Sequence, residues 1–511
     1  MLSWLLAACG QRGAEVAAPA PPPAIEWFHG DVNQAFAAAA EQGKPVLLYW
    51  GASWCPPCHQ LLATVFSRPD FVAKTKLFVP VHLDGDEPGA QKWAETFKVT
   101  GYPTMVILDA QRVEQLRIAG GMDLEQYATL LDTALGDLQP VATLLDAAAT
   151  GQPLQPEGCR RLAYNAWILD EFPEPQLSML ATRLAAAAAQ CPADMPAERA
   201  RLVLVAAYFA ATAEGDALLK KRAPSEALRA RIIDVDALLD QPPLLTANLD
   251  ALGYLDEDFF IAVKAGGAEQ AQRFYTRYAA IMEVAFSDTH FAEADRLYTV
   301  ASKLAAAQAL LGHIPAPLQK EARARLDAAI ATSHTPYVRS GIINAALPIY
   351  ELLDMNAAAY TQLQQELAKT EYGYYYKADL AALAEELKKN DEAIEWSRQA
   401  YEESKGVATR FQWGSLYLNR LLRLKPTDTV LIEKVAMQVL GELDGSDRIY
   451  RRTVTRLTAL DAALLKWSAA QPKQRAAVLQ ALRVRMQQIC GGIPDGDAAQ
   501  ARCAGFLAKA A

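Results

Sequence analysis

Trp54-Cys55-Pro56-Pro57-Cys58 constrains this chain more than any other stretch. Two cysteines, two residues apart, follow an apolar, strand-like run, Val46-Leu47-Leu48-Tyr49-Trp50. In that setting the pair reads as a redox dithiol. The second half of the motif opens a helix, so Cys55 falls at a helix N-terminus. Backbone N–H groups without partners and the positive end of the helix dipole favour a thiolate there. That makes Cys55 the expected nucleophile, and the more acidic and more exposed of the two. Cys58, one turn on, is set to resolve a mixed disulfide on Cys55. The prolines are tolerated because the first turn has no N–H partners to lose.

A second element lies further along. Gly101-Tyr102-Pro103-Thr104 precedes another apolar strand, Met105-Val106-Ile107-Leu108. This stretch resembles the cis-proline loop of the thioredoxin family, and with the dithiol it makes residues 26–137 similar to that family. The resemblance implies the element order strand 46–50, helix 56–67, strand 77–83, helix 88–97, strand 104–109, strand 113–118 and helix 123–136. It also implies a cis Tyr102–Pro103 bond and a loop that guides a substrate backbone past the dithiol. Within the family the periplasmic branch is the nearest match. There are two departures. Tyr49 stands where cytosolic members carry a buried carboxylate, and Pro80 where its partner lysine would be. The proton acceptor for Cys58 is therefore open among His59, Tyr49 and a water.

Cys55-Pro56-Pro57-Cys58-His59 also satisfies the c-type haem attachment pattern. A haem would need a second axial ligand and a helical surround. The motif instead follows a strand and precedes a second apolar strand, which argues for the dithiol. The bland reading of His59 is a first-turn histidine with no chemical role.

Near the N-terminus, Leu6-Ala7-Ala8-Cys9-Gly10 resembles a bacterial lipobox, although eight residues without Lys or Arg are short for a signal segment. The resemblance implies lipidation of Cys9, and Gly10 implies outer-membrane sorting. Residues 10–25, rich in Ala and ending in Pro21-Pro22-Pro23, read as an extended tether. Of seven cysteines, Cys159, Cys191, Cys490 and Cys503 remain. An even remainder suits structural disulfides in an oxidising compartment; buried free thiols are the alternative. Cys159 begins one helical run and Cys191 ends the next, which an antiparallel hairpin brings together. Cys490 ends a long helix and Cys503 follows a glycine-rich turn, so that bridge would staple the tail.

From about residue 138 onward the chain reads as helical, with apolar spacings of three and four broken by Gly and Pro turns. The fold class expected is α+β and multidomain: a thioredoxin-like α/β unit, then a large all-α array of helix pairs, a bundle or solenoid. Leu383-Ala384, Asp391-Glu392-Ala393-Ile394, Trp396 and Ala400-Tyr401 resemble a tetratricopeptide repeat within residues 378–430. No clean period accompanies them. The run Tyr372-Gly373-Tyr374-Tyr375-Tyr376 reads either as a peptide groove or as a packing cluster. Gln139-Pro140 leads straight into the next helix, so the array should dock beside Pro103 as a wall.

A net charge of −9 argues against nucleic acid or an anionic membrane surface as partner. The longest apolar run in the body, residues 202–213, is too short to span a bilayer. No histidine pair has a metal-ligand spacing. These features point to a lipid-anchored periplasmic thiol–disulfide oxidoreductase, more a reductase than an oxidase. It would act on protein thiols and disulfides with no cofactor and no metal. Cys55 and Cys58 do the chemistry, Trp54 shields them, and Tyr102 and Pro103 position the partner. A transmembrane disulfide-reductant carrier would supply electrons. The alternative is a helical interaction scaffold whose thioredoxin-like part serves one client.

Overall fold

The computed structural model describes residues 24–511, except 88, 120–123, 137–138, 170–171, 333, 371–372, 446–448, 494–499, 501–502, 504 and 508–511. Cys9, the lipobox, residues 10–23 of the tether and Tyr372 lie outside the described residues.

Strand β1 (Val46–Gly51) is buried along its whole length and forms the middle of the first unit. Its side chains alternate between two cores, as the period of two requires. Val46, Leu48 and Trp50 pack with Val32, Phe36 and Ala39 of helix α1 (Val32–Gln42). Leu47 and Tyr49 face the other way, with Leu61, Phe66, Phe71 and Tyr127. β1 runs parallel to β2 (Val79–Asp84) and antiparallel to β3 (Thr104–Leu108), which pairs antiparallel with β4 (Glu114–Ala119). The sheet order is β2-β1-β3-β4. β2 is an edge, which is where a strand tolerates Pro80.

Helix α2 (Pro56–Leu61) runs into a π-helical turn, Leu62–Phe66, instead of one continuous helix over 56–67. α3 (Pro69–Thr75), α4 (Ala90–Thr96) and α5 (Leu124–Thr133) complete the unit. Helices α1 and α3 have no counterpart in the sequence reading. Asp31 caps α1 through a reciprocal bond with Gln34, the Asp-x-x-Gln form of a capping box.

The rest is largely helical. Consecutive helices pack in pairs, among them Glu174–Gln190 with Pro196–Thr212, and Gly373–Glu386 with Asn390–Glu403. Cys159 is bonded to Cys191 and Cys490 to Cys503. The two parts share a core. The cluster holding Leu47, Tyr49 and Tyr127 continues through Leu144, Leu162 and Trp167 into the array. Buried Arg161 reaches back to the sheet edge and donates to the Glu114 carbonyl at 2.6 Å. The Ala166 N–H donates to the Arg117 carbonyl at 3.1 Å. β4 is thus an edge strand covered by the array. No helix among the described residues is long and apolar enough to cross a membrane.

Candidate active site

The turn after β1 delivers Cys55 as the N-cap of α2, in extended conformation. Pro56 and Pro57 occupy the first helical positions, where no N–H is missed. The Cys58 N–H points at Cys55 Sγ, 3.2 Å away. In the reduced protein that donor and the helix start would steady a Cys55 thiolate. The two sulfurs are bonded in this structure. Tyr102–Pro103 is cis. Thr104 Oγ1 donates to the Gly101 carbonyl at 2.8 Å and closes the loop. Tyr102 is fixed from two sides. Its hydroxyl accepts from Gln91 Nε2 at 2.7 Å, and the Arg452 guanidinium lies 4.7 Å over its ring. A Cβ at Gly85 would meet the Tyr102 hydroxyl at 2.2 Å, so that position has room only for glycine.

The array covers this site. Cys55 is 3 % exposed and Cys58 1 %. Cys55 is the more exposed of the pair only by this small margin, and both sulfurs are buried. Both cysteines join a hydrophobic cluster with Tyr374, Phe411 and Tyr417 of the array. Trp54 stacks on Tyr375 with ring centres 5.9 Å apart, and Tyr375 meets Trp413 edge-on. The aromatic run is thus a packing cluster seated against the dithiol. Trp54 Nε1 donates to Asp86 Oδ2 at 2.8 Å, and Thr409 donates to the other oxygen. Gly406 has positive φ, and a Cβ there would meet Asp86 Cβ at 2.3 Å, so glycine permits the close approach. Burial, partly offset by these two bonds, raises the Asp86 carboxyl to about 6.

His59 and Tyr49 do not fit the role of proton acceptor. His59 is buried, and its Nε2 lies 2.6 Å from the Ser53 carbonyl. A carbonyl only accepts, so Nε2 carries the proton. Nδ1 then faces the Ser340 hydroxyl at 3.3 Å as acceptor. The ring stacks on Tyr337 of the array, and burial lowers its affinity for a second proton. With Nε2 engaged this way, it is not presented to a haem iron. Burial pushes the Tyr49 phenol far above its usual range, so it stays protonated, packed between Phe66 and His82. No cluster of metal-ligating side chains occurs among the described residues.

A cleft of about 790 Å³ opens beside the dithiol. Pro56, Pro57, Tyr102 and Pro103 form one wall, and Asp295 and Tyr298 are among the array residues opposite. Asp295 Oδ1 accepts from Gln60 Nε2 of α2 at 2.7 Å. Sequence reasoning missed Asp86, Asp295, Ser340 and Tyr298. Asp295 and Ser340 reach α2 across more than 200 positions, and Asp86 joins Thr409 across 323, so no local pattern marks them.

A helix-start dithiol beside a cis-proline loop on a four-stranded sheet defines a thioredoxin-type redox domain. Residues 32–135 match the family model of the thioredoxin-like domain, and they are such a domain. The thiol:disulfide interchange protein DsbD of Cronobacter sakazakii is 32 % identical over 109 residues, 20 % of this chain and 19 % of that protein. DsbD of Salmonella paratyphi A is 34 % identical over 114 residues, 22 % and 19 % respectively. Thioredoxin H3 of Arabidopsis thaliana is 28 % identical over 109 residues, covering 20 % of this chain and 88 % of that one. The chain therefore spans about a fifth of the length of its DsbD relatives. Among solved structures, a DsbH oxidoreductase aligns at 22 % identity over 24 % of this chain and 94 % of that chain, with a TM-score of 0.20.

Proposed function

We propose that this chain is a thiol–disulfide oxidoreductase acting on protein substrates. One observation carries the reading: Cys55 caps α2 with the Cys58 N–H aimed at its sulfur, in a domain that also holds a cis-proline loop. In the reductive direction, the Cys55 thiolate attacks a substrate disulfide and releases one substrate thiolate, which takes a proton from solvent. Cys58 then loses its proton, attacks Cys55 Sγ and releases the second thiolate. Two electrons pass to the substrate and the Cys55–Cys58 disulfide remains. Trp54 shields the sulfurs, and Tyr102 and Pro103 position the incoming backbone. The similarity to proteins named DsbD supports a periplasmic setting with a DsbD-like electron donor. The lipobox reading of Cys9 supports an anchor on the outer membrane. Cys159, Cys191, Cys490 and Cys503 serve as structural disulfides.

The burial of both cysteines beneath the array favours a narrow client range over general reduction, and that is the part of the scaffold reading we retain. The test is trapping in the full chain. Cys58→Ala should accumulate a disulfide-linked client on Cys55, seen as a reducible shift on a gel. Cys55→Ala should not. Equal trapping by both variants, or by neither, would overturn the role assignment.

A further inference from the structure

The cleft between α2 and the array has a chemical bias. On the thioredoxin side Pro56, Pro57, Tyr102 and Pro103 line it without charge, and Arg68 is the one charged lining residue there among the described residues. Inside it lie two carboxylates, Asp250 and Asp295. Asp250 is spoken for. Both its oxygens are held by buried Arg201, at 2.7 and 2.6 Å. Asp295 is not. Its Oδ1 takes the Gln60 amide at 2.7 Å, and among the described residues no lysine or arginine pairs with it. The remaining charges lie at the rim. Arg68 is more than half exposed and turned to Asp70 at 3.5 Å, and His290 is 95 % exposed beside Asp288. A deeply set carboxylate facing a cleft, with one amide partner and no cation, is an incompletely satisfied charge. Burial and the nearby Asp250 raise its carboxyl to about 6, as expected where no cation compensates it.

The same cleft bounds the shape of what reaches the dithiol. Cys55 and Cys58 are sealed by the Trp54–Tyr375–Trp413 stack on one side. On the other, the Pro336–Leu352 helix lies on α2. The cleft reaches Pro56, next to Cys55 in the chain, and the cis-proline residue Pro103, so a slender chain has a way in that a folded surface lacks. Its volume, about 790 Å³, is that of a site for a drug-sized ligand or short peptide.

We propose that this cleft takes an extended, cysteine-bearing peptide segment with a lysine or arginine near the cysteine, and that Asp295 pairs with that basic residue. Asp295 is then a specificity-determining residue supplied by the array, on top of the oxidoreductase reading above. The exchange chemistry is unchanged: the reduced dithiol is the reductant, and the substrate disulfide accepts its two electrons.

The test uses the full chain. Two fluorescent peptides carry serine in place of the cysteine and differ only in an arginine or a glutamate beside it. Binding is read by fluorescence anisotropy. The arginine peptide should bind about tenfold more tightly, the scale of one charge-assisted hydrogen bond. Asp295→Asn, which keeps an oxygen for Gln60, should erase that preference. Thr64→Arg, at an exposed position on the cleft wall, should weaken the arginine peptide and serves if the first variant fails to fold. Equal affinities in the unaltered protein, or a preference that survives in folded Asp295→Asn, would overturn the proposal. Single-turnover reduction of a small aromatic disulfide by the dithiothreitol-reduced protein, with a Cys55→Ala control, separates the two levels. If Cys55-dependent reduction occurs without any peptide preference, the inference fails and the oxidoreductase reading stands. If no Cys55-dependent reduction occurs, that reading fails, and the binding result still decides what the cleft prefers.

Discussion

Asp86 is held by both parts of the molecule. Trp54 of the redox turn donates to one oxygen, and Thr409 of the array to the other. Burial raises its carboxyl from an ordinary 3.8 to about 6. The folded state therefore binds that proton more tightly than the unfolded chain does. Stability from this group is greatest below about pH 4 and falls as pH rises through about 6. Asp295 and Asp379 are raised by burial as well, to about 6 and about 7, while lowered His59 and His82 act in the opposite sense. A variant isolates the one group. Asp86→Asn should match the parent near pH 4 and be more stable by roughly 1–3 kcal/mol near pH 7. Urea midpoints for both proteins across that range are the measurement. A difference that stays flat, or that turns against the variant as pH rises, would show that Asp86 is not an unfavourably buried charge. None of this was legible in the sequence, which marks Asp86 with no motif. Its partner Thr409 is 323 positions away.

The Pro336–Leu352 helix is the element that closes the site. Tyr337, Ser340, Gly341 and Asn344 recur at spacings of three and four and share one face. Tyr337 stacks on His59, Ser340 bonds to it, and Asn344 donates to the Tyr298 hydroxyl. Gly341 sits where a Cβ would be 3.4 Å from Ala294 Cβ and 3.7 Å from Gln60. Alanine is just accommodated there; leucine is not. Gly341→Leu should lever the helix away from α2 at a cost of about 1–3 kcal/mol, the usual range for overpacking. Alkylation of Cys55 in the reduced, folded protein should then speed up at least severalfold. Labelling as slow as in the parent, with the fold intact by circular dichroism, would mean that this helix is not the cover. The sequence predicts the helical nature of this segment but not its role. Apolar periodicity reports the face packed on other array helices, and the face on α2 is polar and small. The strands were legible for the converse reason. Val46, Leu48 and Trp50 alternate with Leu47 and Tyr49 into two apolar cores, and a run buried on both sides reads as a strand wherever it lands. The dithiol was legible because its helix start is local chemistry.

At the scale of the whole molecule, one core crosses the seam between the sheet and the array, and Arg161 is fastened into that seam. It is 2 % exposed and carries its charge against backbone carbonyls, those of Gln139 and Glu114. Burial lowers it to about 10, so it remains a cation at neutral pH. Removing the guanidinium strands both carbonyls, and an unpaired buried acceptor costs about 1–3 kcal/mol. Arg161→Ala also removes the volume of a buried side chain and leaves a void in its place. The loss should total roughly 3–5 kcal/mol. Its larger consequence concerns cooperativity. A 511-residue chain would ordinarily unfold domain by domain. Here the shared cluster couples the redox domain to the first array helices, so the two should melt together in the parent. Hydrogen exchange separates the possibilities. In the parent, slow amides of β1 and β3 should have opening free energies equal to those of the Pro196–Thr212 helix, within error. In Arg161→Ala the two sets should diverge, with one part opening below the other. Distinct opening energies already present in the parent would show that the seam is a docking contact between independent domains, and that the array can lift from the dithiol without unfolding anything.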